Sequence, residues 1–277
     1  GRGQQPRAPA VKVAALAHQL PVAQPERLAE LRDRLSALEP QVVVVVAYAH
    51  KIPDWLLELP VWGCLNVHAS LLPRYRGASP VAAALLNGEA VAGVSIMRLD
   101  TGWDTGPVLA RQRLPVALED DAGTLTARLA QAGAQLLLDT LAGLAAGTVT
   151  PAPQDHALAT YAPKLTRADG LLDWALPAEV LVRHVRAFTP WPGAYTFWRG
   201  KQLKVLRASA APAVAGTAPG HVLPGAQVGT PAGALRLERV QLEGRKPLAI
   251  AEFLAGQPSL IGSSLTSRPV EGGAARL

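Results

Sequence analysis

Three polar residues stand at or just after stretches that read as the ends of buried strands: Asn66, His68 and Asp104. An amide, an imidazole and a carboxylate together suit acyl transfer by direct attack. The amide can donate to a developing oxyanion. The imidazole can donate or shuttle a proton near neutral pH. The carboxylate can orient the imidazole and help take a proton from an attacking amine. No serine or cysteine has an obvious base partner, and this chemistry needs no such nucleophile. Each residue also has a purely structural reading: a hydrogen-bonded core histidine, a strand-end asparagine, a turn-forming aspartate. Spacing alone leaves both readings open.

Positioning these groups requires particular elements. Asn66 and His68 are two apart, so on a strand they share a face. Asp104 lies in Leu99-Asp-Thr-Gly-Trp-Asp-Thr-Gly106, a glycine-rich turn that can return to the same sheet edge. Ligands of open parallel sheets bind at the carboxyl ends of strands. The loop Ser70-Leu-Leu-Pro-Arg-Tyr-Arg-Gly77 follows directly. Pro73 and Gly77 fix its path, and Arg74 and Arg76 offer donors for an anion, although such composition also suits an ordinary surface loop.

The surrounding pattern is that of an α/β unit. Leu28, Leu31, Leu35 and Leu38 recur at helical spacing before Pro40. Val42 to Val46 reads as a parallel strand buried on both faces. A short helix is expected over 53–58, strands at 64–68, 91–99 and 108–116, and a helix near 80–87. A helix of roughly 20 residues follows Asp121, running from Leu125 to about Leu144. Alternating strands and helices predict a Rossmann-like, mainly parallel sheet. Residues 1–148 form this first domain. Residues 149–168 contain Pro151, Pro153 and Pro163 and read as a linker over the surface. Residues 169–277 form a second domain, with a helix over 177–188 and then short alternating segments that suit a small OB-like barrel. Ala210 to Pro219 reads as a mobile loop.

Charge is uneven. The net charge is +6, but residues 1–168 carry 15 Lys+Arg against 14 Asp+Glu, and residues 169–277 carry 12 against 7. A neutral front and a basic back suit a catalytic part joined to one that meets a polyanion. One cysteine, Cys64, cannot make an intrachain disulfide, which points to a reducing compartment, the cytoplasm. Its apolar surroundings make it a buried small hydrophobe. No Cys/His spacing suits zinc, so no metal is expected. No apolar run is long enough to span a membrane.

Asn66-Val-His68, then Ser70-Leu-Leu-Pro73 and Arg76-Gly77, then Leu99-Asp-Thr-Gly-Trp-Asp-Thr-Gly106, together resemble the signature of formyltransferases that use 10-formyltetrahydrofolate. Val94-Ser-Ile-Met-Arg-Leu-Asp, Thr160-Tyr-Ala-Pro-Lys-Leu and Arg186-Ala-Phe-Thr-Pro-Trp-Pro192 resemble the methionyl-tRNA branch of that family most closely. The resemblance runs from residue 1 to about 265. It implies a catalytic trio of Asn66, His68 and Asp104. Asn66 and His68 would stabilise the tetrahedral intermediate, and Asp104 would position His68 and an ordered water. Ser70, Leu71, Leu72 and Pro73 would shape the folate site, with the backbone near Ala47 and Tyr48 holding the pterin. The partner is initiator methionyl-tRNA, its phosphates gripped by Lys164, Arg167, Arg199, Lys201, Lys204 and Arg207. Gly1-Arg-Gly resembles the end of a mobile basic loop, with Arg2 its key arginine. A monomer is expected.

The family pattern has a strand, a helix and a second strand ahead of the point where this sequence starts. The expectation is a truncated member, less stable than the whole protein. Two other activities share the core: transfer to a sugar-linked amine or to a purine-precursor amine. A catalytically inactive RNA-binding relative is a further alternative. A dinucleotide-binding oxidoreductase lacks support, because no G-x-G-x-x-G follows a strand.

Overall fold

The computed structural model describes residues 8–268. In chain order the first part contains α1 (Ala10–Ala17), α2 (Arg32–Ala37), β1 (Val43–Val45), α3 (Asp54–Leu57), β2 (Cys64–His68), β3 (Arg76–Gly77), α4 (Pro80–Leu86), β4 (Val91–Arg98), β5 (Val108–Pro115) and α5 (Ala122–Ala145). The helical spacing from Leu28 to Leu38 is split: Leu28–Leu31 is a 3-10 turn ahead of α2. No sequence signal had marked α1.

The strands order β1-β2-β4-β5. β1 and β2 are parallel, whereas β2 with β4 and β4 with β5 are antiparallel. The sheet over these residues is therefore mixed, not mainly parallel. For β4 and β5 the reason lies in their connection. Parallel neighbours need a crossover of roughly a dozen residues or more, whereas the turn 99–107 joins β4 to β5 directly, as an antiparallel pair allows. The valine run is not buried on both faces either. Val43 and Val45 are half-buried and Val44 is exposed, because β1 is the end strand of this order.

Helix α5 packs behind β2 and β4. Asp121 caps it: its carboxylate accepts from the Thr124 N–H at 2.9 Å, and the Thr124 hydroxyl accepts from the Asp121 N–H at 3.0 Å. Leu125, Leu129 and Gly133 recur at four-residue spacing and are buried. Burying each leucine stabilises by about 1.5–3 kcal/mol. At Gly133 a Cβ would lie 2.9 Å from Val67 Cγ1, so only glycine lets the helix approach. Val67 thus faces α5, and its neighbours Asn66 and His68 face the opposite side.

Residues 149–168 do not simply cross the surface. Ala152 exchanges two 2.8 Å backbone hydrogen bonds with Val108, Gln154 is buried, and β6 (Tyr161–Ala162) pairs in parallel with β3.

The second part begins with α6 (Ala178–Phe188) and continues through β7 (Tyr195–Trp198), β8 (Lys201–Ala211), β9 (Val222–Leu223), β10 (Gln227–Gly229), β11 (Ala234–Leu242), β12 (Leu248–Ala249) and α7 (Ile250–Gly256). Its antiparallel sheet orders β7-β8-β11-β10-β9. The Ser263 carbonyl accepts from Val222 of β9, and Thr266 exchanges hydrogen bonds with Phe197 of β7. This stretch thereby bridges the two end strands and closes the sheet into a barrel, as expected for an OB-like domain. Leu203 and Val205 of β8 and Leu235, Leu237 and Val240 of β11 fill it. The step from 237 to 240 breaks the alternation because the register shifts there. Ala210 and Ala211 belong to β8, so the expected loop starts only at Pro212. Among the described residues no helix is long and apolar enough to cross a membrane.

Helix α6 ties the two parts together. Ala187 and Phe188 join Leu125 and Leu129 in one buried cluster. Arg186 donates to the Asp120 carbonyl at 2.6 Å and the Ala117 carbonyl at 2.8 Å, while Arg183 donates to the Leu86 carbonyl at 2.9 Å. Arg186→Ala leaves two carbonyls without a charged donor. It is expected to lower unfolding stability by about 2–3 kcal/mol in urea titration; an unchanged midpoint would show that this contact does not hold the parts together.

Candidate active site

Asn66 and His68 lie on β2 with adjacent strands on both sides. Val45 of β1 is level with Asn66, and Ser95 of β4 is level with His68. Parallel pairing carries the chain beyond β1 to Ala47 and Tyr48 at the same carboxyl end. Both are exposed, Ala47 with a positive φ of 50°.

His68 is 6% exposed, and both ring nitrogens have polar neighbours. Nε2 lies 2.9 Å from the Tyr75 carbonyl. A carbonyl only accepts, so this contact places the proton on Nε2. Nδ1 then carries the lone pair in the neutral ring. It faces Asp104 Oδ2 at 3.8 Å, too far for a direct hydrogen bond and close enough for strong attraction once Nδ1 is protonated. This differs from the expectation that His68 donates to an oxyanion, because its one proton in the neutral form is committed to the loop backbone. The arrangement instead suits His68 as a proton acceptor whose charged form sits between a carbonyl and a carboxylate.

Asp104 is held by backbone geometry. The Gly77 N–H donates to Oδ2 at 2.8 Å, and Asp104 itself has a positive φ of 53°. Gly77 has φ +106°, and an added Cβ would stand 2.7 Å from the Ala162 carbonyl oxygen. Only glycine fits there, and the pairing of β3 with β6 depends on it. Asp100 shapes the turn ahead of Asp104, accepting from the Gly102 N–H at 3.0 Å and the Thr105 hydroxyl at 2.6 Å. Trp103, beside Asp104, is exposed.

The loop after His68 is built inward. Ser70 and Leu72 are buried, and Leu72 packs with Met97 and Val108. The Ser70 hydroxyl donates to the Arg74 carbonyl at 2.6 Å. Ser95 donates to the Ser70 carbonyl at 2.6 Å and accepts from the Leu72 N–H at 3.1 Å. The Leu72–Pro73 peptide is cis. The side chains of Ser70 and Leu72 therefore anchor the loop rather than line a surface. Leu71 packs against Gly93, where a Cβ would lie 2.4 Å from its Cδ2. The two arginines are not free anion ligands. Arg74 pairs with Glu89, and Arg76 is buried against Gln154 and His156.

The basic candidates are spread over the second part and the segment before it. Lys164, Arg167, Arg199, Lys201 and Arg207 are exposed and Lys204 is half-buried. Arg199 lies over the Trp198 ring at 4.9 Å. Arg207 forms a 2.8 Å ion pair with Glu238, which offsets its charge. Arg2 lies outside the described residues.

Sequence reading missed three groups that build this arrangement: the Tyr75 carbonyl, the Gly77 N–H and the Gln154 side chain. Two are backbone groups, which carry no residue-type signal. The third reaches Asp104 from 50 residues away.

Cys64 is no nucleophile. It is fully buried, its thiol donates to the Leu56 carbonyl at 3.2 Å, and burial pushes its pKa up to about 11. The folded protein is therefore expected to resist thiol reagents at pH 8. A thiol whose pKa is raised on folding contributes stability that is present below its unfolded value of 9.0 and lost as pH rises through about 11. A Cys64→Ala variant is predicted to lose less stability than the parent across that window, measured by denaturation at pH 8 and pH 11. Rapid labelling of the native protein would show that the thiol is not buried.

Known proteins resemble this chain over most of its length. Residues 1–141 match the family model described as Formyl transferase, and residues 164–258 match Formyl transferase, C-terminal domain. A methionyl-tRNA formyltransferase of Citrifermentans bemidjiense is 45% identical over 262 residues, covering 92% of this chain and 82% of the relative. That of Chloroflexus aggregans is 47% identical over 263 residues, covering 92% and 85%. Among solved structures, HypX from Aquifex aeolicus, in complex with tetrahydrofolic acid, superposes with a TM-score of 0.64 at 21% identity. That match covers 83% of this chain and only 41% of HypX, and it speaks for the fold alone. With both domain models matched and relatives of such identity aligned over most of its length, the chain belongs to the methionyl-tRNA formyltransferase family.

Proposed function

We propose that this protein transfers the formyl group of 10-formyltetrahydrofolate to the α-amino group of methionyl initiator tRNA. The single observation that carries the reading is the approach of His68 Nδ1 to Asp104 Oδ2 on the face of β2 that also bears Asn66.

The chemistry follows from the groups present. The neutral amine attacks the formyl carbon, a new C–N bond forms, and negative charge develops on the formyl oxygen. The Asn66 amide donates to that oxygen. The amine loses a proton to His68 Nδ1, directly or through a water, and Asp104 stabilises the resulting imidazolium. The folate C–N bond then breaks, and His68 returns the proton to the leaving nitrogen. In this reading Asn66, rather than His68, meets the oxyanion.

The formyl donor would lie between the exposed chain at Ala47 and Tyr48 and the loop of Ser70, Leu71, Leu72 and Pro73. Backbone donors and acceptors at 46–48 suit the amide-like edge of a pterin. The tRNA phosphates would meet Lys164, Arg167, Arg199, Lys201 and Lys204, with Arg207 contributing less because of Glu238. Arg2 would serve the acceptor end. Residues 1–148 would be the catalytic domain, 149–168 the connection and 169–277 the tRNA-binding domain of a cytoplasmic monomer.

The test is formylation of methionyl initiator tRNA by the chain, with Asn66→Ala, His68→Ala and Asp104→Ala alongside. Each variant is expected to lose roughly 10²–10⁴ in turnover while still binding tRNA. Binding by the parent should weaken steeply with salt, because phosphate contacts release counterions. Turnover of a small sugar-linked or purine-precursor amine without any formylation of tRNA would overturn the tRNA assignment. Unimpaired variants would overturn the site.

A further inference from the structure

Gln154 sits where the connecting segment meets the catalytic turn, and it is only 5% exposed. The pairing of Ala152 with Val108 brings it there. Its amide is fully used. Oε1 accepts from Arg76 Nε at 3.1 Å and Nη2 at 2.8 Å. Nε2 donates to the Asp104 carbonyl at 2.9 Å and the Gly106 carbonyl at 2.7 Å. Hydrogen-bond type dictates this orientation. A guanidinium only donates and must face the oxygen, and two carbonyls only accept and must face the NH₂. Arg76 is itself buried, with Nη2 also 3.2 Å from His156 Nδ1.

We infer that Gln154 is a positioning residue for formyl transfer, holding the Asp104 turn so that the carboxylate stays opposite His68. The inference rests on the catalytic role proposed for Asp104. The φ of 53° at Asp104 lies in a region that side-chain-bearing residues rarely adopt. Such backbone persists only where its surroundings over-determine it. Besides the Asp100 contacts within the turn, two constraints reach it from outside: the Gly77 N–H on the carboxylate, and Gln154 on the main-chain carbonyls of Asp104 and Gly106. Gly106 cannot add bulk to stiffen the turn, because a Cβ would stand 1.9 Å from the Arg98 carbonyl oxygen. The tie to Gln154 supplies the hold from outside. It also makes the connecting segment part of the catalytic apparatus.

The discriminating variant is Gln154→Glu. It keeps the shape and the contact with Arg76 but sets a carboxylate oxygen against both carbonyls. In steady-state formylation, kcat is expected to fall at least about tenfold, with KM for tRNA and for the formyl donor within about twofold. Adding Gln154→Glu to Asp104→Asn should cost nothing further, since both act through one group. Amide hydrogen exchange of Gly77 reads the same placement without turnover, and its protection should drop in Gln154→Glu. Unchanged kcat with unchanged Gly77 protection overturns the inference, as does a double variant whose losses multiply. A fall in melting temperature with kcat per folded molecule unchanged would reduce Gln154 to a structural role and overturn it too. A parent chain that formylates nothing defeats the functional reading instead, and Gly77 exchange then decides the positioning role by itself.

Discussion

The candidate site depends on one hydrogen bond more than any other, the 2.8 Å contact from the Gly77 N–H to Asp104 Oδ2. It joins the loop that follows His68 to the turn between β4 and β5. It needs a glycine at φ +106° on one side and an aspartate at φ 53° on the other. Backbone in either conformation is costly for ordinary residues, about 1–2 kcal/mol where a Cβ is present. The cost at Asp104 is offset by hydrogen bonds that converge on the turn from the Asp100 side chain and from distant segments. His68 then meets a fixed carboxylate, and its own ring is fixed by the Tyr75 carbonyl of the same loop.

That arrangement explains why the parts of the chain are interleaved. The β3–β6 pairing sets Gly77 against Ala162, and the Ala152–Val108 bridge brings the connecting segment to the turn. Helix α6 then docks its Phe188 end into the cluster beneath α4 and α5. The second part is attached through packing and buried carbonyl contacts, not through a passive tether. The exposed lysines and arginines of that part are thereby held in fixed relation to β2, as the proposed transfer to a long polyanionic substrate needs.

Much of this was legible in the residues. Strand β2 at 64–68, helix α5 and helix α6 follow from apolar spacing and end signals, and Asn66, His68 and Asp104 could be chosen by chemical type. What escaped was set by distant partners. The short turn 99–107 sets β5 antiparallel to β4, whereas β4 is joined to β2 through α4 by a segment long enough for either direction. The half-exposure of β1 depends on which strands flank it. Ser70 and Leu72 turn inward because Ser95, Met97 and Val108 receive them, and Arg76 is buried because Gln154 lies 78 residues away in sequence but within 3.1 Å. The tautomer of His68 is set by a backbone carbonyl, which no residue type announces.

Neutral His68 presents a lone pair on Nδ1 to Asp104. Imidazole ¹⁵N NMR of the native protein, with His68 assigned by comparison with His68→Gln, reads this directly. The expected result is a proton on Nε2 and none on Nδ1 at a pH where the ring is neutral. A neutral ring with its proton on Nδ1 would contradict it, because His68 could then not take a proton on the side that faces Asp104.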